Sequence, residues 1–145
     1  MPDLAVTGID FSDQALRVAK VNARLNHVDI QWMQNDFLNE MHQKFDYIVC
    51  NPPYVAVEEY SSLQKEVLEY EPKMALVAEE EGLAFYQRLA SDAPRCLNPG
   101  GKIFLEIGSG QKEALLKLFF DKKWKRCQSF LDWSGKDRFF FLEIE

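Results

Sequence analysis

Apolar residues in this chain gather into short continuous runs that alternate with stretches of helical period, and that alternation predicts an α/β sheet. Leu4-Ala5-Val6-Thr7-Gly8-Ile9 is the first run, of the kind expected for a strand buried on both faces, and Asp10 ends it. Ser12 then suits a helix N-cap, and Ala15, Leu16, Ala19 and Ala23 recur at helical spacing up to about Leu25. Residues 28–33 predict a second strand, followed by the polar Gln34-Asn35-Asp36, and residues 45–50 a third that runs into Asn51. Residues 58–71 set Leu63, Val67 and Leu68 among charges, which predicts an amphipathic helix or ordered loop broken at Glu71-Pro72.

Residues 82–97 predict a helix closed by the turn Asn98-Pro99-Gly100-Gly101, and residues 102–107 a fourth strand. Gly108-Ser109-Gly110 feeds a helix from Gln111 to about Lys122, and residues 125–131 and 138–143 form two last strands. The link Gly135-Lys136-Asp137 is too short for a crossover, so those two strands are expected to pair antiparallel, on a sheet that is parallel in its early part.

Composition narrows the picture. With 145 residues, 47% of them hydrophobic, the chain is expected to form a single domain with its own core. A net charge of −6 argues against a nucleic-acid groove, which needs a basic face, so no direct nucleic-acid binding is expected. Cys50, Cys96 and Cys127 lack metal spacing and cannot all pair, which predicts a reducing compartment and small buried thiols. His27 and His42 are too isolated to act as ligands, and no metal is expected. Neither an apolar run of spanning length nor a signal peptide is present, so a soluble, cytoplasmic protein with no membrane partner is expected.

The densest candidate chemistry is Asn51-Pro52-Pro53-Tyr54, directly after the apolar Tyr47-Ile48-Val49-Cys50. Pro52 biases Asn51 away from helical dihedrals and the paired prolines stiffen the turn. The Asn51 side-chain oxygen and the Pro52 carbonyl can then both face a planar N–H₂ group, over which Tyr54 presents an aromatic face. Such a site suits a neutral amide or exocyclic amine whose lone pair must be turned toward an electrophilic methyl group. Asn51, Pro52 and Tyr54 are therefore the candidate catalytic residues, and Asn51, Pro52, Pro53 and Tyr54 the candidate substrate-binding set.

Asp10 stands at the carboxyl end of the first strand, where open α/β sheets bind ligands, and its carboxylate can accept both hydroxyls of a ribose. Asp36 can meet an adenine amino group while Phe37 packs on the ring; with Asn51 these form the candidate cofactor set. Glu106 interrupts the apolar Ile103-Phe104-Leu105-Glu106-Ile107, so it either lines a cleft or forms a buried bond. Gly108-Ser109-Gly110-Gln111 lacks the full spacing of a phosphate-cradling turn. Glu79-Glu80-Glu81 suits a solvated face or helix start, and Phe139-Phe140-Phe141 a core strand.

At these residues the chain resembles the HemK-type protein-(glutamine) methyltransferases, which methylate the Gly-Gly-Gln glutamine of peptide-chain release factors. The resemblance runs through Thr7-Gly8-Ile9-Asp10, Asp46 to Tyr54, Glu71-Pro72 with Ala75-Leu76, and Gly82-Leu83. It continues through Asn98-Pro99-Gly100-Gly101, Leu105-Glu106-Ile107-Gly108 with Gln111, and Ser134-Gly135-Lys136-Asp137-Arg138. Asn-Pro-Pro-Tyr by itself is shared with adenine-specific DNA methyltransferases and some RNA methyltransferases; the Glu-Pro, Glu-Ile-Gly and Gly-x-Asp-Arg elements narrow the choice. The resemblance implies a Rossmann-like class I S-adenosylmethionine-dependent methyltransferase sheet, S-adenosyl-L-methionine as cofactor, and a release factor as partner. The alternatives are an amino-group methyltransferase acting on adenine or guanine in nucleic acid, and a catalytically incompetent fragment.

The chain departs from the family in one respect. Members carry an earlier strand ending in a Gly-rich loop that holds the methionine end of the cofactor, and no Asp-x-Gly-x-Gly-like segment occurs here. The expectation is a single methyltransferase catalytic domain over residues 1–145, truncated before what resembles the family's second strand. Its sheet would be incomplete between the strands at 4–9 and 45–50, leaving unpaired edges through which the chain could self-associate.

Overall fold

The computed structural model describes residues 4–145. The chain falls into two compact units, one ending at Met41 and the other His42–Glu145.

The first unit is a strand, a helix and a strand: β1 (Thr7–Asp10), α1 (Asp13–Leu25) and β2 (Gln31–Gln34). β1 and β2 pair in parallel, Thr7 opposite Gln31 and Asp10 opposite Gln34. Ser12 caps α1 as its residue type predicts, its hydroxyl accepting from the Ala15 N–H at 3.2 Å. The helix buries Leu16 and Ala23. Gly8 is a packing glycine: a Cβ there would lie 2.3 Å from the Trp32 ring.

Both strands of this unit are displaced from their predicted bounds. The apolar run from Leu4 becomes a strand only at Thr7, Leu4 being 70% exposed, because β2 supplies just four residues to pair with. β1 is thus not buried on both faces, and it includes Asp10. The second strand begins at Gln31 instead of Val28, whose N–H is used in closing α1 on the Ala23 carbonyl at 3.0 Å.

The second unit opens with β3 (Phe45–Cys50), at the bounds the sequence predicts. Beyond the Asn51 turn come β4 (Val55–Ala56), a 3₁₀ turn (Val57–Ser62), α2 (Lys65–Tyr70) and α3 (Lys73–Leu76). Then follow β5 (Val77–Ala78), the short α4 (Glu79–Gly82) and α5 (Ala84–Cys96). β6 (Leu97–Glu106), α6 (Lys112–Leu118), β7 (Trp124–Leu131) and β8 (Asp137–Ile144) complete the unit. The main sheet has the order β3-β6-β8-β7, and β4 and β5 form a small parallel pair. β3 and β6 are parallel, whereas β8 runs antiparallel to both β6 and β7, so the last two strands form the expected antiparallel pair.

The core lies on one side of this sheet. Tyr86, Leu89 and Ala93 of α5 and Leu115 of α6 are buried, as are Ile103 and Leu105 of β6 and Phe140 and Leu142 of β8. The alternate side chains, among them Phe104 and Phe139, are 44% and 49% exposed and line a concavity of about 600 Å³ with Val49 and Phe141. The Phe139-Phe140-Phe141 run is therefore a strand with only its middle ring in the core, because strand side chains alternate between faces. Cys96 is buried as expected, but Cys50 and Cys127 are only half-buried; all are free thiols.

The expected turn at Asn98–Gly101 is absorbed into β6. Its pairing jumps from Phe45 opposite Leu97 to Tyr47 opposite Lys102, which leaves these residues bulged with Gly100 at φ +74°. Asn98 donates to the Asp46 carboxylate across the bulge at 2.9 Å. The glycine chemistry is that of a turn, but the ladder resumes in the same direction. The helix predicted to reach about Lys122 ends at Leu118. Glu79, Glu80 and Glu81 are exposed, with Glu80 and Glu81 at positive φ.

Candidate active site

Residues 51–54 leave the carboxyl end of β3 as a turn in which Pro52 is buried, Pro53 and Tyr54 are half-buried and Asn51 is exposed. A buried proline needs no N–H partner, so the backbone can cross the end of the sheet without leaving a donor unpaired. Among the described residues, no hydrogen bond engages the Asn51 side chain or the Pro52 carbonyl. Two acceptors on a stiff backbone thus remain available to an external N–H₂ group.

Tyr54 is held at its backbone and at its tip. Its N–H donates to the Leu76 carbonyl at 3.1 Å, and its carbonyl accepts from Gln111 Nε2 at 3.0 Å. The same Gln111 amide reaches the Gly82 carbonyl at 3.4 Å, and its oxygen accepts from the Gly108 N–H at 2.9 Å. One side chain therefore ties together three loop segments. Gly82 sits at φ +82°, and a Cβ there would lie 2.2 Å from the Tyr54 carbonyl oxygen. Both the dihedral and the close approach require glycine.

At the tip, the Tyr54 hydroxyl donates to Glu106 Oε1 at 2.8 Å and accepts from an Arg138 guanidinium nitrogen at 3.2 Å. The strand carboxylate Glu106 thus has its partners: it lines the concavity, as one of the two sequence alternatives had it, and its bond to Tyr54 is only part-buried where the other expected a buried one. The Glu106 backbone carbonyl accepts from the Tyr86 hydroxyl at 2.9 Å. Arg138 also donates to the Ile107 carbonyl at 3.3 Å, and its Nε lies 3.6 Å from Asp132. Asp132 is fixed by the Ser134 and Lys136 N–H groups, at 2.8 and 3.1 Å, across the turn containing Gly135.

Electrostatics follow the packing. Burial, reinforced by the Glu106 carboxylate, raises the Tyr54 phenol above its ordinary range, so it stays protonated at neutral pH. Burial also raises the Cys50 thiol, to about 12. Hydrogen bonds from the Lys136 N–H, then from Ser134 and Arg138, hold the Asp132 carboxyl below the usual range.

The remaining candidates lie in the first unit. Asp10, exposed at the end of β1, accepts from the Ser12 N–H through Oδ1 at 2.7 Å, which fixes its rotamer. The Asn35 N–H donates to the Asp10 carbonyl at 3.1 Å, so the Asp36-Phe37 segment lies beside it. Phe37 is at φ +59°, a strained conformation for a bulky residue. The Asn35 side chain, bonded to the Phe37 and Asn39 carbonyls, and the buried Leu38 and Met41 hold it there.

Sequence reasoning assigned no role to Gln111, Gly82, Arg138 or Asp132, although each lies in or beside a motif quoted for the family resemblance. A signal was present: an acid inside an apolar strand needs a cation, and Arg138 opens a neighbouring strand.

The chain is similar to known proteins in sequence and in fold. A release factor glutamine methyltransferase from Lactococcus lactis is 41% identical over 135 residues, 92% of this chain and 50% of that protein. One from Streptococcus pneumoniae is 41% identical over 138 residues, 94% of this chain and 50% of that protein. The chain thus spans about half the length of the curated relatives it matches. In structure it is similar to a methyltransferase from Pyrococcus furiosus, with a TM-score of 0.67 at 18% identity over 96% of this chain and 62% of that one. The α/β fold is the class I methyltransferase fold that the motifs implied. The family model described as "Methyltransferase small domain" matches residues 1–74, and the chain belongs to that family.

Proposed function

We propose that this chain carries the amide-recognising part of a methyltransferase that modifies the glutamine side-chain nitrogen of a Gly-Gly-Gln segment in a peptide-chain release factor. The observation that carries this reading is the 51–54 turn: two carbonyl acceptors with no hydrogen bond among the described residues, on a proline-stiffened backbone, followed by a phenol anchored by Glu106 and Arg138. The names of the 41%-identical relatives support the choice of substrate.

The methyl donor in this reading is S-adenosylmethionine, which when bound supplies an electrophilic methyl group. The residues present fit its adenosine end. Asp10 has a fixed, exposed carboxylate for the ribose hydroxyls, and Asp36 and Phe37 sit on the adjoining strained turn for the adenine. Asn51 and Pro52 accept the two N–H bonds of the glutamine amide, which turns its lone pair outward and favours pyramidal nitrogen. As positive charge develops there, the same preorganised dipoles stabilise it. No strong base is required, because the N–H becomes acidic only as the new N–C bond forms and the methyl–sulfur bond breaks, and the proton then passes to solvent water at the exposed turn. Tyr54 packs its ring on the planar amide.

The test is transfer of labelled methyl from S-adenosylmethionine to purified release factor, its Gly-Gly-Gln→Gly-Gly-Ala variant, and nucleic acid. Label in the parent release factor only is expected. Label in nucleic acid, or label surviving the Gln→Ala change, overturns the proposal.

A further inference from the structure

Resting on that reading, we propose that Glu106 and Arg138 are positioning residues for Tyr54. By occupying its hydroxyl they fix the ring on the Asn51–Tyr54 turn, so that Tyr54 acts through its aromatic face and its hydroxyl takes no part in proton transfer.

A phenol has one hydrogen to give, and Tyr54 gives it to Glu106 Oε1 at 2.8 Å. A lone pair of the same oxygen is taken by Arg138 at 3.2 Å. A hydroxyl so engaged must break the Glu106 bond before it can donate to a substrate. The two partners are themselves braced. Glu106 closes β6, its carbonyl bonded by Tyr86, and Arg138 is held by the Ile107 carbonyl and Asp132. Asp132 in turn is set by the turn at 132–136. Two of the motif elements that follow the Asn51 turn in the sequence thus converge on Tyr54, Gln111 holding its backbone and Glu106 and Arg138 its tip. A ring with two free side-chain torsions would have to be ordered each time an amide docked. A ring tethered at both ends is ordered beforehand.

A double-mutant cycle and an NMR measurement test the inference. Tyr54→Phe, Glu106→Ala, Glu106→Gln and the Tyr54→Phe/Glu106→Ala double variant are made, with thermal melts to verify folding. In the full chain, the Tyr54 hydroxyl proton is expected as a resonance in slow exchange with water, lost in Glu106→Ala and retained in Glu106→Gln, whose amide oxygen still accepts. A hydroxyl exchanging freely in the parent, or one indifferent to Glu106→Ala, overturns the proposal without reference to any substrate. In the methyl-transfer assay, Tyr54→Phe and Glu106→Ala are each expected to lower kcat about tenfold, the size of one ordinary hydrogen bond. The double variant is expected to fall no further, because both singles remove the same contact. Additive losses, or Tyr54→Phe far exceeding Glu106→Ala, would show that the hydroxyl does chemistry of its own. The cycle is run on whichever amine accepts label, so a mistaken target overturns the glutamine reading and leaves the coupling measurable.

Discussion

Asn51 and Asp10 illustrate how much a single residue's context decides. Asn51 follows an apolar strand and precedes two prolines, and the structure leaves its side chain exposed with no bond among the described residues. In the proposed reaction it contacts the target amide, so Asn51→Ala is expected to lower methyl transfer by about 3 kcal/mol in the transition state and cofactor affinity far less, although Asn51 belongs to both candidate sets. Asp10→Ala is expected to do the reverse, weakening cofactor binding by about 1.5–3 kcal/mol for each hydroxyl bond lost. Calorimetry with cofactor alongside turnover separates the two; equal cofactor affinity in Asp10→Ala would leave that carboxylate only its bond to the Ser12 N–H. Their places at the ends of strands were legible, because an apolar run closed by a polar residue is a local signal. The hydroxyl network of Tyr54 was not, since its partners lie 52 and 84 residues away and only folding brings them together.

The half-buried and buried neutral groups give a residue-scale test through pH. Cys50, raised to about 12, and the Tyr54 and Tyr86 phenols, also raised, ionise more readily in the unfolded chain than in the fold. Their contribution to stability is complete below the ordinary thiol and phenol values of about 8.5 and 10, and is lost as pH rises through the folded-state values. Urea unfolding is expected to show stability falling steadily above about pH 9, with the thiol preceding the phenols. Cys50 is further expected to resist alkylation at pH 8 in the folded chain and to react rapidly in urea, as mass spectrometry would record.

Among the elements, β3 and α1 were legible almost to the residue, because an apolar run bounded by polar residues and a Ser cap are local signals. β1 and β6 were not. β1 is limited by the four residues β2 offers it, and β6 continues through Asn98–Gly101 because β3 pairs on both sides of the bulge, Phe45 with Leu97 and Tyr47 with Lys102. Partner availability, which no local pattern encodes, sets both ends. The α4 turn shows the same dependence beside the candidate site. Gly82 is at φ +82° under the Tyr54 carbonyl, and Gln111 reaches both carbonyls. Gly82→Ala is expected to cost about 1–3 kcal/mol in backbone strain alone, with a further loss because the Tyr54 carbonyl must move away from Gln111. Denaturant midpoints measure the first. The second is read from the Gln111 side-chain amide resonances, which in the parent should be well dispersed and in the variant shifted toward random-coil values.

In the molecule as a whole, the second unit has a covered sheet face and an uncovered one. Ile103, Leu105, Phe140 and Leu142 face the helices, whereas Phe104, Phe130 and Phe139 are 44%, 47% and 49% exposed on the other side. β3 is the edge of that sheet, with Tyr47 58% and Val49 82% exposed. Part of the apolar content thus lies outside this core, and composition alone could not reveal how the burial is divided. An edge strand beside exposed aromatic rings is a template for association. The purified chain is accordingly expected to sediment as concentration-dependent oligomers. Val49→Lys, which sets a charge on the exposed edge without touching the covered core, is expected to shift the distribution toward monomer at unchanged circular dichroism. If the parent chain instead sediments as a single monomer across the concentration range, neither the β3 edge nor the aromatic face mediates association. An oligomer indifferent to Val49→Lys would assign the contact to some other surface.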